Sequence, residues 1–183
     1  MNEQVVLVDE QNNKLGLADK YEIHTDKTPL HRAFSLFMFN KNGELLLQQR
    51  ADSKKTWPNI WSNSVCGHPA DCESFEAAAK RRADYELGIE ISRNEVHIIL
   101  PEYRYCYKHL GVVENEFCPV LVVFGDFMPS PNPAEVQAVR WVKWSDFLDE
   151  IHKPNNYSEW CQEEAELLSK SGEFKKLYDA NTK

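Results

Sequence analysis

The sequence predicts a mixed β-sheet with helices packed on it, in the α/β or α+β class. Two observations carry that prediction. Short stretches rich in Val, Leu and Phe recur along the chain with turn residues between them, as strands do. Ala- and Glu-rich segments lie between and after those stretches, with helix-starting and helix-stopping residues at their ends, and helices so interspersed pack onto a sheet.

The elements follow in order. VVLVD (5–9) and LGLADKYEIH (15–24) flank the turn-like EQNNK and read as strand, turn, strand. AFSLFMF (33–39) and ELLLQQ (44–49) are joined by NKNG, whose Asn-Gly pair is a strong hairpin signal. The clearest helix is SFEAAAKRRADYEL (74–87). Ser74 can cap its start, the Ala run favours it, and Gly88 sits where a left-handed residue ends a helix. HIILPEYRYCYKHL (97–110) and ENEFCPVLVVFGDF (114–127) read as two more strands. VRWVKW (139–144) is a strand leading through Ser145 into the helix DFLDEIHK (146–153). After Pro154, the stretch from Ser158 to Tyr178 reads as one amphipathic helix. With 183 residues the chain can bury a sizeable core, so 1–183 reads as a single domain with a C-terminal helical segment over about 155–183.

Composition removes several function classes. The net charge is −8 and no long basic run is present, which argues against a nucleic-acid partner. No stretch approaches the roughly 20 apolar residues of a membrane span, and the start MNEQVVLVDE lacks the basic and apolar regions of a signal peptide. A cytoplasmic protein with no membrane partner is expected. The five cysteines (66, 72, 106, 118, 161) are odd in number and form no CxxC pair, so reduced thiols are expected, not a disulfide framework or a zinc ribbon.

Three segments concentrate reactive side chains. In ENE (114–116), strand alternation puts Glu114 and Glu116 on one face. A solvated face is the plain reading of such a pair. It runs, however, into the apolar FCPVLVVF, and buried carboxylates need a cation. His24 and His31 stand either side of TDKTPL, a turn-like loop able to fold both imidazoles onto one ion, and His68 lies in NSVCGHP. Singly, each histidine fits a structural or exposed role as well, Cys66 alone fits a buried inert thiol, and Lys54-Lys55 fits a solvated pair. Together, three imidazoles and two carboxylates make an N/O set suited to octahedral Mn²⁺ or Mg²⁺ more than to tetrahedral Zn²⁺.

From Gly67, GHPADCESFEAAAKRRADYELGI fits G-x5-E-x7-R-x4-E-x-G-U with Gly67, Glu73, Arg81, Glu86, Gly88 and Ile89 in register. It resembles the Nudix box, a loop-helix-loop that holds divalent metal against a diphosphate. Two positions depart from it: Arg82 stands where a Glu usually follows the Arg, and Tyr85 replaces the first of paired glutamates. Pyrophosphate hydrolases use those carboxylates to gather metal and activate water, so the departures oppose hydrolysis and let Arg82 bind phosphate. NSVCGHP, ENE, KYEIHTDKTPLH (20–31) and RADSKKTWPNIWSNSVCGH (50–68) together resemble type I isopentenyl diphosphate isomerases, Nudix-fold enzymes that move a double bond. The resemblance runs from about 20 to about 165.

What the resemblance implies can be stated by position. His24, His31, His68, Glu114 and Glu116 match metal ligands, for Mn²⁺ or Mg²⁺ with Zn²⁺ as the alternative. Cys66 and Glu116 match the acid/base residues, Tyr105 a supporting phenol and Trp160 an aromatic cap. Lys20, Arg50, Lys54 and Arg82 match diphosphate-binding positions, and Glu86 the site of a substrate-bridging Mg²⁺. The implied partner is a small-molecule diphosphate, with monomer and homodimer both open. Two rival readings stand beside this one: a Nudix pyrophosphohydrolase acting on nucleotides, and a non-catalytic metal-bound diphosphate-binding module.

Overall fold

The computed structural model describes residues 3–153 and 157–183, so Pro154 and the start of the expected C-terminal segment at 155 and 156 lie outside the described residues. A hairpin of β1 (Gln4–Val8) and β2 (Lys14–Asp19) leads into one helical turn, α1 (Lys20–Ile23). Then come β3 (His31–Arg32), β4 (Phe34–Phe39), β5 (Glu44–Arg50), β6 (Trp61–Ser62), β7 (Val65–Gly67) and α2 (Phe75–Leu87). β8 (His97–Leu100), β9 (Arg104–His109), β10 (Val112–Phe117), β11 (Val120–Phe124) and β12 (Val136–Lys143) precede α3 (Trp144–Glu150), α4 (Glu159–Lys170) and α5 (Gly172–Asn181).

The strands form two sheets. One has the order β2-β1-β3-β10-β9; the other runs β12-β5-β4-β11-β8, with β6 paired to β5 and β7 to β4. β3 lies parallel to β10, and β4 lies parallel to β11. The chain therefore crosses from the first sheet to the second twice, side by side, at Ala33 and at Cys118-Pro119.

The second sheet is covered on both faces. Phe34, Leu36, Met38, Leu121 and Val123 pack with Ala78, Ala79, Ala83 and Leu87 of α2. Phe37, Phe39, Val120 and Val122 face Trp144, Phe147, Trp160, Ala165, Leu168 and Phe174 from the C-terminal helices. That double burial explains why AFSLFMF, apart from the buried Ser35, and VLVVF are apolar runs without polar alternation.

The helix expected at 74–87 is α2. Ser74 accepts a hydrogen bond from the Ala77 N–H, and Gly88, at φ 63°, donates its own N–H back to Ala83 and Asp84. Other expectations are corrected. Residues 20–24 do not extend β2, because the Asp19 side chain accepts from the Tyr21 N–H and turns the chain into α1. The stretches 97–110 and 114–127 each divide into two strands. Pro101 and Pro119 lie in the breaks, where a residue without an N–H cannot continue a ladder, and the halves join different sheets. The terminal helix breaks at the extended Ser171, whose hydroxyl accepts from the Phe174 N–H and starts α5. α3 begins at Trp144, so Ser145 lies within its first turn.

The NKNG hairpin forms, with Gly43 at φ 71°, yet β4 and β5 pair only at Phe39 and Leu45. Beyond that point the strands splay. The chain from 61 to 67 fills the fork: β6 pairs with β5 at Gln48↔Ser62, and β7 pairs with β4 at Ser35↔Cys66. Ser64, fully buried at the apex, accepts from the Met38 N–H at 2.8 Å and donates to the Leu46 carbonyl at 2.5 Å. One hydroxyl thus stands in for a cross-strand bond that the splay removes. Among the described residues no helix is long and apolar enough to cross a membrane.

Gly88→Ala is expected to lower stability by about 1–2 kcal/mol, because a side chain there must hold positive φ. Its Cβ would also stand 3.2 Å from the Ser130 carbonyl oxygen. Chemical denaturation of the two proteins checks this, and an unchanged midpoint would contradict it.

Candidate active site

A cavity of about 490 Å³ opens where the two sheets meet. Tyr105, Glu114 and Glu116 reach it from the five-stranded sheet, Cys66 and His68 from β7 and the loop after it, and Trp160 from α4. Lys20, Arg50, Lys54 and Arg82 also line it, together with His24 and Glu135. Glu86 and His31 do not line it: His31 is fully buried behind it, and Glu86 is buried beneath Arg82.

His24, His31, His68 and Glu116 converge, with one ligand atom from each lying within 4.8 Å of the others. The pairing of β3 with β10 brings this about, setting His31 directly beside Glu116. The Nδ1 atoms of His24 and His31 face the carbonyls of Lys20 (2.6 Å) and Pro29 (3.0 Å). Those contacts assign the ring protons to Nδ1 and turn the Nε2 lone pairs inward. There they meet other acceptors: His24 Nε2 lies 3.2 Å from Glu114 Oε2, and His31 Nε2 lies 3.4 Å from Glu116 Oε1. His68 Nε2 is 3.1 Å from the same Glu116 oxygen and 3.3 Å from His31 Nε2. Acceptors held face to face in a buried site call for a cation between them. The residues fit a divalent metal ion, in agreement with their N/O chemistry.

In the metal-free protein a proton between the rings and the carboxylates takes the cation's place, and the titrating groups show its pull. Burial alone would raise the Glu116 carboxyl, but the hydrogen bond and charge of His31 outweigh it and bring it down to about 2. For His24 burial favours the neutral ring, yet the Glu114 hydrogen bond and charge push it above its ordinary value. Burial, reinforced by Lys20 and His31, drives His68 well below the ordinary value and keeps its imidazole neutral.

Cys66 sits half-buried, its thiol pushed up to about 12 chiefly by loss of surrounding water. The Tyr105 hydroxyl donates to Glu116 Oε2 at 2.7 Å. The Trp160 indole stacks on the Tyr105 ring (5.5 Å, 14°) and meets Trp57 edge-on at 4.9 Å. α4 is latched in place on both sides of Trp160. Trp57 donates to Glu159 at 2.6 Å, and Tyr103 and Tyr107 both donate to Glu163, at 2.8 and 2.7 Å.

Most of the basic lining is paired with carboxylates. Lys20 meets Glu3 at 2.9 Å, Lys54 meets Glu135 at 2.5 Å, and Arg82 contacts both Glu86 (2.7 Å) and Glu135 (3.1 Å). Arg50 instead donates to the Thr56 carbonyl and hydroxyl, with its guanidinium 5.8 Å above the Trp160 ring. Sequence reasoning missed Glu135, Glu3, Glu159, Glu163 and Asn63. No local pattern marks them, since each meets its partner from a distant part of the chain, except Asn63, which stands in the NSVCGHP motif already singled out.

A His whose folded-state pKa is depressed contributes stability above its unfolded value, near 6.5, and loses it as pH falls below that value. Metal-free protein is therefore expected to lose up to about 1.4 kcal/mol per pH unit through His68 between pH 6.5 and 5. His24, shifted the other way, offsets part of the loss. Comparing denaturation of the chelated protein and its His68→Asn variant isolates the contribution: the variant should have the flatter pH dependence, and equal slopes would refute the assignment.

The chain matches the NUDIX domain over residues 29–161. It is 44% identical to an isopentenyl-diphosphate Delta-isomerase of Saccharopolyspora erythraea over 169 residues, covering 91% of this chain and 86% of that protein. The enzyme of the same name from Kocuria rhizophila is 48% identical, covering 86% and 88% of the two chains, and that from Klebsiella pneumoniae is 43% identical, covering 90% and 89%. Among solved structures, a Deinococcus radiodurans protein superposes with a TM-score of 0.70 at 22% identity, covering 90% of this chain and 98% of that one. A MutT protein of Methanosarcina mazei superposes with a TM-score of 0.61 at 17% identity, covering 81% and 95%. Those two likenesses concern the fold alone. By its domain match and its sequence relatives, the chain belongs to the NUDIX family and, within it, to the isopentenyl-diphosphate Delta-isomerases.

Proposed function

We propose that the protein interconverts isopentenyl diphosphate and dimethylallyl diphosphate, a 1,3-allylic shift of isoprenoid biosynthesis, in a cavity that joins a thiol to a carboxylate. The observation that carries this reading is the presence of Cys66 and Glu116 on different sheets around one cavity that Trp160 also lines. Moving an unactivated double bond requires a proton added at C4, which leaves a tertiary cation at C3, and a proton removed from C2, which forms the new alkene. One group must give a proton and another must take one. Cys66 and Glu116 are assigned these roles, and they exchange them when the reaction reverses.

Tyr105 holds Glu116 by a hydrogen bond to one oxygen while the other faces the histidines. His24, His31, His68, Glu114 and Glu116 would hold a divalent ion, whose positive charge would keep both carboxylates in a usable state. Mn²⁺ or Mg²⁺ suits that donor set. Lys20, Arg50, Lys54 and Arg82 would hold the diphosphate, and Glu86 would take the Mg²⁺ that accompanies it. Trp160, Trp57 and Tyr105 exclude water, which would capture the cation, and Trp160 offers it a π face. A nucleotide pyrophosphohydrolase is disfavoured by Arg82 and Tyr85. We read residues 1–183 as one domain and the protein as cytoplasmic.

Incubation with isopentenyl diphosphate and Mg²⁺ in D₂O tests the reaction. The allylic isomer should appear with deuterium in a methyl group, whereas release of inorganic phosphate or a monophosphate would favour the hydrolase. In the same assay Cys66→Ala should lose 10²-fold or more of turnover, roughly what a general acid or base contributes. Turnover within about tenfold of the parent would remove the thiol from its role.

Trp160 generates a separate expectation. An indole face against a desolvated cation is worth about 2 kcal/mol, or roughly thirtyfold in rate if felt only in the transition state. Trp160→Leu should lose at least that factor in kcat while Trp160→Phe, with a weaker π face, loses less. Steady-state kinetics decides, and equal kcat for the two variants would leave Trp160 a packing residue.

A further inference from the structure

Asn63 is fully buried at the apex of the fork between β4 and β5, and the two ends of its amide do different things. Nδ2 donates to the carbonyls of Leu36 (3.2 Å) and Val65 (3.0 Å). Oδ1 accepts from Ser62 Oγ (2.9 Å), Cys66 Sγ (3.1 Å) and Trp160 Nε1 (3.3 Å). This orientation is forced: an indole N–H can only donate and a peptide carbonyl can only accept, so the amide cannot be turned end for end. One buried oxygen therefore touches both the thiol and the indole.

We propose that Asn63 is a positioning residue for the isomerisation, fixing the Cys66 thiol and the Trp160 ring relative to each other through that single carbonyl oxygen. The inference rests on the roles given to Cys66 and Trp160 under the proposed function.

The physical case begins with what the two groups would do without it. A cysteine side chain has three staggered positions about its single χ1. The bond to Oδ1 selects one of them. An indole stacked flat on Tyr105 can slide within its own plane, because stacking constrains separation more than lateral position. The Nε1–H bond pins it. Both constraints matter to this reaction, since the cation at C3 adjoins the carbons that gain and lose protons. A ring face and a sulfur that serve neighbouring atoms must keep a common register.

The residue type follows from the same contacts. Asp would present no donor to the Leu36 and Val65 carbonyls and would bury a charge, and Ser has too few atoms to meet five partners. Diphosphate binding lies elsewhere, on Lys20, Arg50, Lys54 and Arg82, so the loss on substitution should fall on turnover. Misplacing a reacting group by about 1 Å costs on the order of 10²-fold in rate.

The test uses the metal-loaded full chain, with Asn63→Ala and Asn63→Ser compared with the parent in steady-state isomerisation of isopentenyl diphosphate. Backbone-independent ¹⁵N–¹H spectra of the indoles are recorded alongside, with Trp160 assigned as the signal missing from Trp160→Phe. The expected result is a fall in kcat of about 100-fold with KM within about threefold. The Trp160 indole signal should move upfield and exchange faster with D₂O. A kcat within about threefold of the parent, or an unmoved indole signal, would overturn the proposal. So would parallel losses of kcat and diphosphate affinity, which would make Asn63 a structural residue only. If neither variant folds, the parent protein still decides: a Trp160 indole proton that exchanges freely there is not held by Asn63. Should the parent itself fail to isomerise the substrate, the proposed function falls, whereas an active parent with fully active Asn63 variants removes this inference alone.

Discussion

The structure depends on a fork in its central sheet. β4 and β5 share one pair at their turn and then part, and a sheet that opens in its middle leaves backbone groups without partners in a dry interior. An unsatisfied buried polar group costs about 1–3 kcal/mol, so such an opening persists only if something fills it. Ser64 and Asn63 fill it between them. The Ser64 hydroxyl bridges β4 to β5, and the Asn63 amide takes up the Leu36 and Val65 carbonyls. With those four contacts made, β6 and β7 can lie inside the sheet, and β7 delivers Cys66 and His68 to a cavity that strands in continuous register would have closed.

A second constraint concentrates charge beside the fork. The parallel pairing of β3 with β10 puts His31 against Glu116, and the first helical turn returns His24 to Glu114. Backbone carbonyls of Lys20 and Pro29 hold the ring protons outward, so the inward nitrogens have only oxygens and each other to meet. Buried polar groups are normally matched donor to acceptor. Here the mismatch is concentrated at one point, which is why the arrangement makes physical sense around a cation and little sense as packing.

How much of this could be read in the sequence varies with the range of the interaction. α2 was legible because Ser74 and Gly88 act on residues within one turn of themselves. The convergence of His24, His31, His68 and Glu116 could be expected because strand alternation is local and because NSVCGHP, ENE and KYEIHTDKTPLH are specific in combination. The fork was not, since AFSLFMF and ELLLQQ carry every sign of an ordinary hairpin and nothing in either strand records that its partner is absent. The divisions at Pro101 and Pro119 escaped for a related reason: each apolar run looks continuous, and only the assignment of its halves to different sheets reveals the break. Glu135 was invisible in PNPAEVQAV. Its partners Lys54 and Arg82 stand 81 and 53 residues away, and a carboxylate that matters only through such contacts leaves no local pattern.

Those long-range carboxylates bear on how an acidic protein can take a diphosphate. A cavity lined by four free cations would be costly to keep empty, because like charges in a partly dry site repel and lose hydration. Burial and the nearby Arg50 already weaken the hold of Lys54 on its proton, and Glu135 opposes them. Pairing Lys20 with Glu3, Lys54 with Glu135 and Arg82 with Glu86 lowers that cost before any ligand arrives. In the proposed reading, a diphosphate offers Lys20, Lys54 and Arg82 a second anionic partner beside the carboxylates they already meet. In that reading the Arg82 guanidinium would be shared between Glu86 and the phosphates, and Glu86 would hold the Mg²⁺ that accompanies them. Of the paired carboxylates Glu86 is the buried one, so in that reading a diphosphate without its metal ion would be poorly matched: it would draw Arg82 away and leave a buried charge with nothing to face.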